Sequence, residues 1–190
     1  MKNALTKIPM CISEQEDKNM FENVNLDKLW IDTDYSRETY QDEVPTDELI
    51  AEVEQKLGYK LPASYITLMK MHNGGCLNYD ACPCDTPTSW ADDHVGVTGI
   101  FSISTAKEHG LCGEFGSQFW IDEWEYPAIG VAIADCPSGG HDMIFLDYHE
   151  CGPQGEPCVV HIDADETDTT FLAKDFETFI ELLRPEDDYH

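Results

Sequence analysis

The strongest constraint on the fold comes from three apolar segments with only short turns between them. The segments span residues 128–134, 143–148 and 157–162, and turns rich in glycine and proline separate them at 136–140 and 151–155. Segments of this length that are rich in valine and isoleucine are typical of buried strands. Because a parallel crossover needs a dozen residues or more, such short turns favour antiparallel pairing.

Two helical patterns precede these strands. Thr46 is a favourable N-cap, apolar residues recur at helical spacing up to Leu57, and Gly58 is a typical helix end. Pro62 suits the first turn of a second helix, and the run Asn-Gly-Gly at 73–75 ends it.

One further helix follows the strands. Asp175 is its N-cap, Phe176 and Phe179 have helical spacing, and Pro185 ends it. Two helices, a run of strands and a final helix predict an α+β fold. We expect a mostly antiparallel central sheet, with the two N-terminal helices and the C-terminal helix packed on one face of it.

The remaining segments give less regular patterns. Residues 95–103 predict a further strand, residues 104–110 a short helix, and residues 163–168 a solvated acidic loop. Aromatic residues are frequent in residues 21–43. We therefore expect that segment to pack on the domain as a short strand or helix plus coil.

The pattern indicates a single domain at residues 21–185, with a flexible lead-in at 1–20 and an acidic tail at 186–190. No stretch approaches the roughly 18 apolar residues of a membrane span, and the first residues lack the apolar run of a signal peptide. The sequence thus favours a cytoplasmic protein without membrane contact.

The charge is strongly negative and unevenly placed. Eleven lysines and arginines stand against 38 aspartates and glutamates, for a net charge of −27. Between residues 71 and 173 the single basic residue is Lys107, against 18 acids. Such a stretch repels nucleic acid and anionic membranes, which bind basic patches, and attracts a basic protein or cations. The alternative is that the acids only confer solubility.

Three tryptophans lie in acidic, turn-rich segments of this stretch. Because tryptophan is frequent at interface hot spots, Trp90, Trp120 and Trp124 are candidate anchors for a protein partner. The alternative is that they fasten loops onto the core. The acids that would meet a basic partner beside them are Asp92, Asp93, Asp122, Glu123 and Glu125.

Three motifs occur in a defined order. They are Leu-Gly-Tyr-Lys-Leu-Pro-Ala-Ser-Tyr at 57–65 with Met-Lys-Met-His-Asn-Gly-Gly at 69–75, Gly-Gly-His-Asp-Met-Ile-Phe-Leu-Asp-Tyr at 139–148 with Cys-Gly-Pro-Gln-Gly-Glu-Pro at 151–157 and Val-Val-His at 159–161, and the closing acidic loop with the helix around Phe176 and Phe179. Together they resemble the SUKH superfamily, Smi/Knr branch, over residues 21–183.

The resemblance implies a compact α+β domain with a mostly antiparallel sheet and no catalytic site. Bacterial members of that family look like immunity proteins, which bind and neutralise toxins of neighbouring cells, often nucleases, whereas fungal relatives act as signalling hubs. The motif residues to which the resemblance assigns a structural role are Pro62, Tyr65, Asn73, Gly74, Gly75, Gly140, His141, Asp142, Asp147, Gly155, Glu156 and Pro157.

A weaker hypothesis concerns metal binding. His141, Asp147 and His161 lie on or beside neighbouring predicted strands, and two histidines with a carboxylate are a common set of ligands for a divalent metal. The alternative, which we favour, is a buried polar network. The cysteines do not follow the spacing of structural zinc sites, and we expect them to be reduced packing thiols.

Catalytic and nucleotide-binding motifs are missing from the sequence, since it contains neither a Gly-x-Ser-x-Gly elbow nor a Walker or Rossmann glycine pattern. We therefore expect a non-enzymatic, acidic protein-binding domain without a cofactor. The resemblance implies that it is an immunity protein that neutralises a toxin, and the acidity makes a basic nuclease toxin the natural target. The two alternatives are a metal-dependent enzyme and a general scaffold or hub. The sequence leaves the oligomeric state open.

Overall fold

The structure is a computed structural model that describes residues 20–165 and 168–189. Its helices are α1 (Asp34–Thr39), α2 (Asp47–Leu57), α3 (Ala63–Met71), α4 (Ser117–Glu123) and α5 (Phe176–Leu182), with short 3-10 helices at Leu26–Lys28 and Glu186–Tyr189. Its strands are β1 (Gly75–Cys76), β2 (Ala81–Pro83), β3 (His94–Gly96), β4 (Gly99–Ile100), β5 (Gly130–Asp135), β6 (Asp142–Asp147), β7 (Cys158–Asp163) and β8 (Asp168–Ala173). Residues 1–19 of the predicted lead-in lie outside the described residues. Within the described part of the chain, no helix has the length and apolar character that crossing a membrane requires.

A six-stranded antiparallel sheet forms the centre of the fold, which confirms the prediction from the short turns. Its strand order is β1-β4-β5-β6-β7-β8, and every neighbouring pair is antiparallel. β6 pairs with β7 along its full length, from Asp142 opposite Asp163 to Asp147 opposite Cys158. β2 and β3 form a separate small sheet. With the helices, this arrangement is the predicted α+β fold.

The two edges of the large sheet differ. β1 has two residues, and the chain before α1 covers its outer side, because the Ile31 amide donates to the Cys76 carbonyl and Trp30 bridges to Leu77. β8 has six residues, pairs with β7 alone among the described strands, and carries Phe171 with 60% of its surface exposed. The sheet therefore has one covered edge and one open edge.

The prediction of one continuous strand at 95–103 is wrong, because these residues are divided between two sheets. β3 belongs to the small sheet and β4 to the large one. Between them the Val97 amide donates to the Asp80 carbonyl, and the Thr98 amide donates to the Asp135 carbonyl. These two hydrogen bonds lead the chain from one sheet to the other, so one apolar run supplies both.

Two further local predictions are corrected. Residues 104–110 form a turn instead of a helix, since the Ser104 hydroxyl accepts hydrogen bonds from the amides of Ala106 and Lys107. The predicted acidic loop at 163–168 is shorter than expected, because Asp163 ends β7 and Asp168 already begins β8.

The capping signals of the predicted helices are confirmed. The Thr46 hydroxyl accepts a hydrogen bond from the Leu49 amide at the start of α2, and Gly58 ends that helix with a φ of +79°. The Asp175 carboxylate accepts from the Thr178 amide at the start of α5. The structure contains two α-helices besides these three. α1 fits the expected helix plus coil at residues 21–43, whereas α4 was not indicated by the sequence.

Packed layers cover both faces of the large sheet, so the prediction of a single covered face is incomplete. α4 packs on β5, and the ring of Tyr126 stacks on Phe145 of β6 with centroids 5.5 Å apart. Because strand side chains alternate, Asp142 points to the opposite face, where the Ser89 hydroxyl donates to it. Ser89 lies between β2 and β3, and this small sheet contacts α5.

The Asn-Gly-Gly run at 73–75 fixes how α3 enters the sheet. The buried Asn73 amide donates to the carbonyls of Glu43 and Ile103, at 2.7 and 3.2 Å, and its oxygen accepts from the Ile103 amide at 2.8 Å. Gly74 has a φ of +80°, and a Cβ there would lie 2.7 Å from the Ser102 nitrogen. Glycine is therefore required by both conformation and space.

Gly74 and Gly58 provide a matched test, because both have a φ near +80° but only Gly74 is crowded. Gly58→Ala should cost about 1 kcal/mol, the strain of a left-handed residue. Gly74→Ala should cost at least about 3 kcal/mol, since the β-carbon also displaces a backbone neighbour. Urea denaturation measures both values. Equal losses would show that the contact with Ser102 carries no energy.

A second buried contact joins α1 to the sheet. The Tyr40 hydroxyl donates to both carboxylate oxygens of Asp135, at 3.0 and 2.8 Å. Tyr40 is fully buried, and Asp135 ends β5. Burial raises the pKa of Asp135 to about 7, and the Tyr40 hydrogen bond opposes that rise. The Asp135 carboxyl group therefore keeps its proton to a higher pH than an exposed aspartate does.

This raised pKa predicts a pH dependence of stability. The unfolded chain ionises Asp135 near its ordinary pKa of 3.8, whereas the folded protein keeps the proton up to about pH 7. The stability that the protonated group contributes is therefore present at low pH and lost as the pH rises between these values. Asp135→Asn keeps a neutral acceptor for Tyr40 and should remove this decline. Urea midpoints between about pH 5 and about pH 8 compare the two proteins; parallel curves would contradict the prediction.

Candidate partner-binding surface

The second sequence motif contains a buried pair, Asp142 on β6 and His161 on β7. His161 Nε2 lies 2.9 Å from Asp142 Oδ1, and the residues are 1% and 5% exposed respectively. The Ser89 hydroxyl donates to the same oxygen at 3.1 Å, and the Asp142 amide donates to the Ser138 hydroxyl at 2.8 Å. The group is a buried polar network that ties the 136–140 turn to β7 and to the small sheet.

The electrostatics of Asp142 follow from its neighbours. Burial raises the pKa of Asp142, but the hydrogen bond and charge of His161, with smaller help from Ser138 and Ser89, outweigh it and hold that pKa below 3.8. The carboxylate is therefore ionised in the folded protein, and its role is to hold His161 and the turn in place.

The three candidate metal ligands do not come together. His141 is half exposed, and its Nδ1 lies 2.9 Å from Oδ2 of Asp165 instead of near His161. Asp147 lies at the far end of β6, about 20 Å from His141 by the rise of a strand. Among residues 20–165 and 168–189, no group of three or more His, Cys, Asp or Glu is arranged to hold a metal ion. The seven described cysteines are free thiols.

The buried pair predicts a contrast between two aspartates of the same strand. Asp142→Ala leaves His161 buried without its partner and should cost about 3 kcal/mol. Asp147→Ala, at the partly exposed end of β6, removes a hydrogen bond from the His149 amide and should cost about 1 kcal/mol or less. Because the pKa of Asp142 is depressed, its contribution should disappear as the pH falls below about 4. Thermal melts at neutral and acid pH test this; equal losses at neutral pH would contradict it.

The tryptophans that the sequence proposed as anchors lie in different environments. Trp120 of α4 is 7% exposed and donates its Nε1 hydrogen to the Phe115 carbonyl, so its assignment as a partner contact is corrected to a core position. Trp124 is 36% exposed, and its ring meets His141 edge-on at 5.6 Å. Gly140, with a φ of +101°, packs against the Trp120 ring. A Cβ at this position would lie 2.7 Å from that ring, so the packing requires glycine.

The acids around Trp124 are all on the surface. Asp122, Glu123 and Glu125 are exposed, and Glu125 follows the end of α4 with a φ of +58°. Glycine is the usual residue at a position with a positive φ, because a residue without a β-carbon adopts that conformation at little cost. This patch remains a predicted partner surface, formed by one exposed indole and three carboxylates.

Trp90 packs in a different environment. Its indole rests on Gly96, where a Cβ would approach the ring to 3.0 Å, and a Cβ there would meet Pro137 at the same distance. Trp90 is 36% exposed, and Asp92 and Asp93 beside it are also exposed. The indole therefore has one packed side and one side turned to solvent, with carboxylates close by.

A surface hollow of about 420 Å³ opens beside this indole. Sequence reasoning identified Trp90 but missed Ile31 and Tyr35, which are 38% and 57% exposed and line the same hollow. Ile31 comes from the segment that covers β1 and Tyr35 from α1, 59 and 55 residues before Trp90 in the chain. The other lining residues are Thr33, Cys76, Leu77, Asp80, Gly96, Val97, Thr98, Pro137 and Glu186.

The remaining motif residues have structural positions. Tyr65 is fully buried and donates its hydroxyl to the main-chain carbonyl that follows β4. Pro62 and Pro157 are buried just before α3 and β7. A Cβ at Gly155 would lie 2.5 Å from a carbonyl of the preceding turn. Glu156 is exposed, and partial burial together with the charge of Asp175 raises its pKa.

A family model described as SUKH_6, SMI1-KNR4 cell-wall, matches residues 47–180. The chain belongs to the SUKH (SMI1-KNR4) family. The match runs from the start of α2 into α5 and contains all three sequence motifs, which confirms the resemblance. No curated protein matches the chain.

The matched region contains only part of the hollow beside Trp90. Ile31 and Tyr35 precede residue 47, so the hollow beside Trp90 combines residues inside and outside the matched region. At the other end of the chain, the predicted acidic tail supplies Glu186 to the hollow, and the Tyr189 ring stacks on His94 at 4.2 Å.

Proposed function

We propose that this SUKH domain acts in the cytoplasm as an immunity-type protein that binds a basic protein toxin and neutralises it by covering its surface. The observation that carries the proposal is the excess of acids between residues 71 and 173, where Lys107 is the single basic residue against 18 acids. The family provides the class of function, since its bacterial members look like immunity proteins.

The described cations do little to offset this acidity. Of the lysines and arginines in residues 20–165 and 168–189, all except Lys28 contact an acid or a main-chain carbonyl. Lys107 donates to the carbonyls of Arg37 and Glu38, at 2.8 and 3.2 Å. The charge that remains toward solvent is negative, which supports a cationic partner.

Binding would proceed in two steps. The acidic surface first attracts the basic partner and speeds encounter, an effect that weakens with salt. Exposed aromatic side chains then supply buried contact area, as hot-spot residues do at other interfaces. A nuclease toxin suits this arrangement, because it holds phosphate with basic side chains and a carboxylate surface competes for the same groups.

The central experiment pairs the protein with a basic toxin encoded next to it, co-expressed in a sensitive host. The host should survive with the domain and die without it, and the purified pair should associate with a rate constant that falls as salt increases. Equal killing with and without the domain would remove the immunity role.

Two double variants of equal charge change test the electrostatic step. Asp92→Asn with Asp93→Asn removes two charges beside Trp90 and should lower the association rate constant by roughly three- to tenfold at low salt. Glu22→Gln with Glu48→Gln removes two exposed charges outside residues 71–173 and should change it by less than about twofold. Stopped-flow mixing measures both; equal effects would mean that only net charge matters.

A further inference from the structure

Some of the exposed apolar side chains of this domain lie together. Among the described residues, the large apolar residues that are exposed are Ile31, Tyr35, Val44, Met71, Trp90, Trp124 and Phe171. Three of them, Ile31, Tyr35 and Trp90, line the same hollow, the one of about 420 Å³ described above. Contiguous apolar surface with a polar rim is typical of a binding site, whereas isolated apolar residues are ordinary.

A second hollow adjoins the first and shares Ile31 with it. It has a volume of about 610 Å³, and its apolar lining includes Leu26, Trp30 and the exposed Met71. The Trp30 ring stacks on His72 with centroids 4.5 Å apart, which holds the wall of this hollow in place. Because Ile31 lines both hollows, they are neighbours on the surface, and we call the pair the Ile31 groove.

The rim of the groove is acidic. Asp80 and Glu186 line the Trp90 end, and no lysine or arginine is among the described residues that line that end. Asp27 and Asp32 line the Met71 end. Arg37 also lies there and is ion-paired with Asp32 and Asp34, so the negative charge at this end is the excess of these acids and Asp27 over one arginine.

We propose that the Ile31 groove binds an extended segment of the basic partner in which lysine or arginine alternates with apolar residues. The apolar side chains enter the two hollows, and the cations meet the acidic rim and the open face of the Trp90 indole. This proposal rests on the proposed function and gives its binding surface. A second copy of this chain does not suit the groove, because each copy carries a net charge of −27.

Two synthetic peptides of equal length and charge test the groove directly. One alternates lysine with leucine, and the other alternates lysine with serine. The leucine peptide should bind the full-length protein roughly tenfold more tightly or better, since burying even one leucine contributes that much. Calorimetry measures the affinities, and the indole N–H signal of Trp90 in NMR spectra reports the place. Equal affinities for the two peptides would overturn the proposal.

The chain offers closely matched control variants. Trp90→Ala and Tyr35→Ala should each weaken binding of the leucine peptide by roughly tenfold. Val44→Ala and Phe171→Ala remove exposed apolar side chains outside the groove, 63% exposed for Val44 and 60% for Phe171, and should change it by less than about twofold. Thermal melts confirm that each variant is folded. If all four variants lose affinity alike, or none does, the groove is not the site.

A further variant displaces the Trp90 side chain without removing it. Gly96→Val places side-chain atoms where the indole now rests, because even a Cβ there lies 3.0 Å from the ring and from Pro137. It should displace the indole from the groove and weaken the peptide as Trp90→Ala does. A folded Gly96→Val protein that shows an unshifted Trp90 signal and full affinity would count against the proposal.

The same variants separate the groove from the proposed function. If a cognate toxin is bound and neutralised equally well by wild type, Trp90→Ala and Tyr35→Ala, the groove proposal is overturned and the immunity role stands. If the wild-type protein gives no protection from that toxin but prefers the leucine peptide with Trp90 dependence, the groove stands and the proposed function fails.

Discussion

The buried side-chain amide of Asn73 fixes the relation between the helices and the sheet. Its three hydrogen bonds hold the end of α3 against Glu43 and against both main-chain groups of Ile103. A buried amide with all these partners in place is specific, because losing one leaves a polar group unsatisfied away from water. From this point the chain enters β1, and β1 in turn receives Trp30 and Ile31 through the Leu77 bridge and the Cys76 carbonyl. The Ile31 groove on the surface therefore depends on a polar contact in the interior.

Negative charge shapes the molecule in a different way from its core. A net charge of −27 repels itself and works against a compact state, so the apolar core and the buried polar pairs must outweigh that repulsion. Two of the buried carboxyl groups differ in their charge: Asp142 stays ionised beside His161, whereas burial beneath Tyr40 raises the pKa of Asp135 to about 7. Most of the other described acids lie on the surface, where they cost least.

Local signals in the sequence predicted much of the fold. The Thr46 and Asp175 caps and the three apolar strands carry their own side-chain patterns, and the short turns between the strands left only antiparallel pairing. The failures have physical reasons. α4 begins at a residue without a capping side chain, and Glu125, two residues after its end, has a positive φ that a sequence usually marks with glycine. β8 lies at an edge, so it lacks the apolar alternation of a buried strand. The groove was missed because Ile31 of the cover on β1 and Tyr35 of α1 come close to Trp90 only in the folded chain.

That cover has a consequence for how copies of this chain can associate. An uncovered strand edge is a template on which another chain can pair, and repeated pairing at two such edges builds a fibre. In this sheet the segment before α1 occupies one edge, so only β8 is available among the described strands. Once two β8 strands pair across a twofold axis, neither sheet has an edge left to offer. Growth through the sheet therefore stops at a closed pair, a geometric protection against polymerisation that holds whatever the charge.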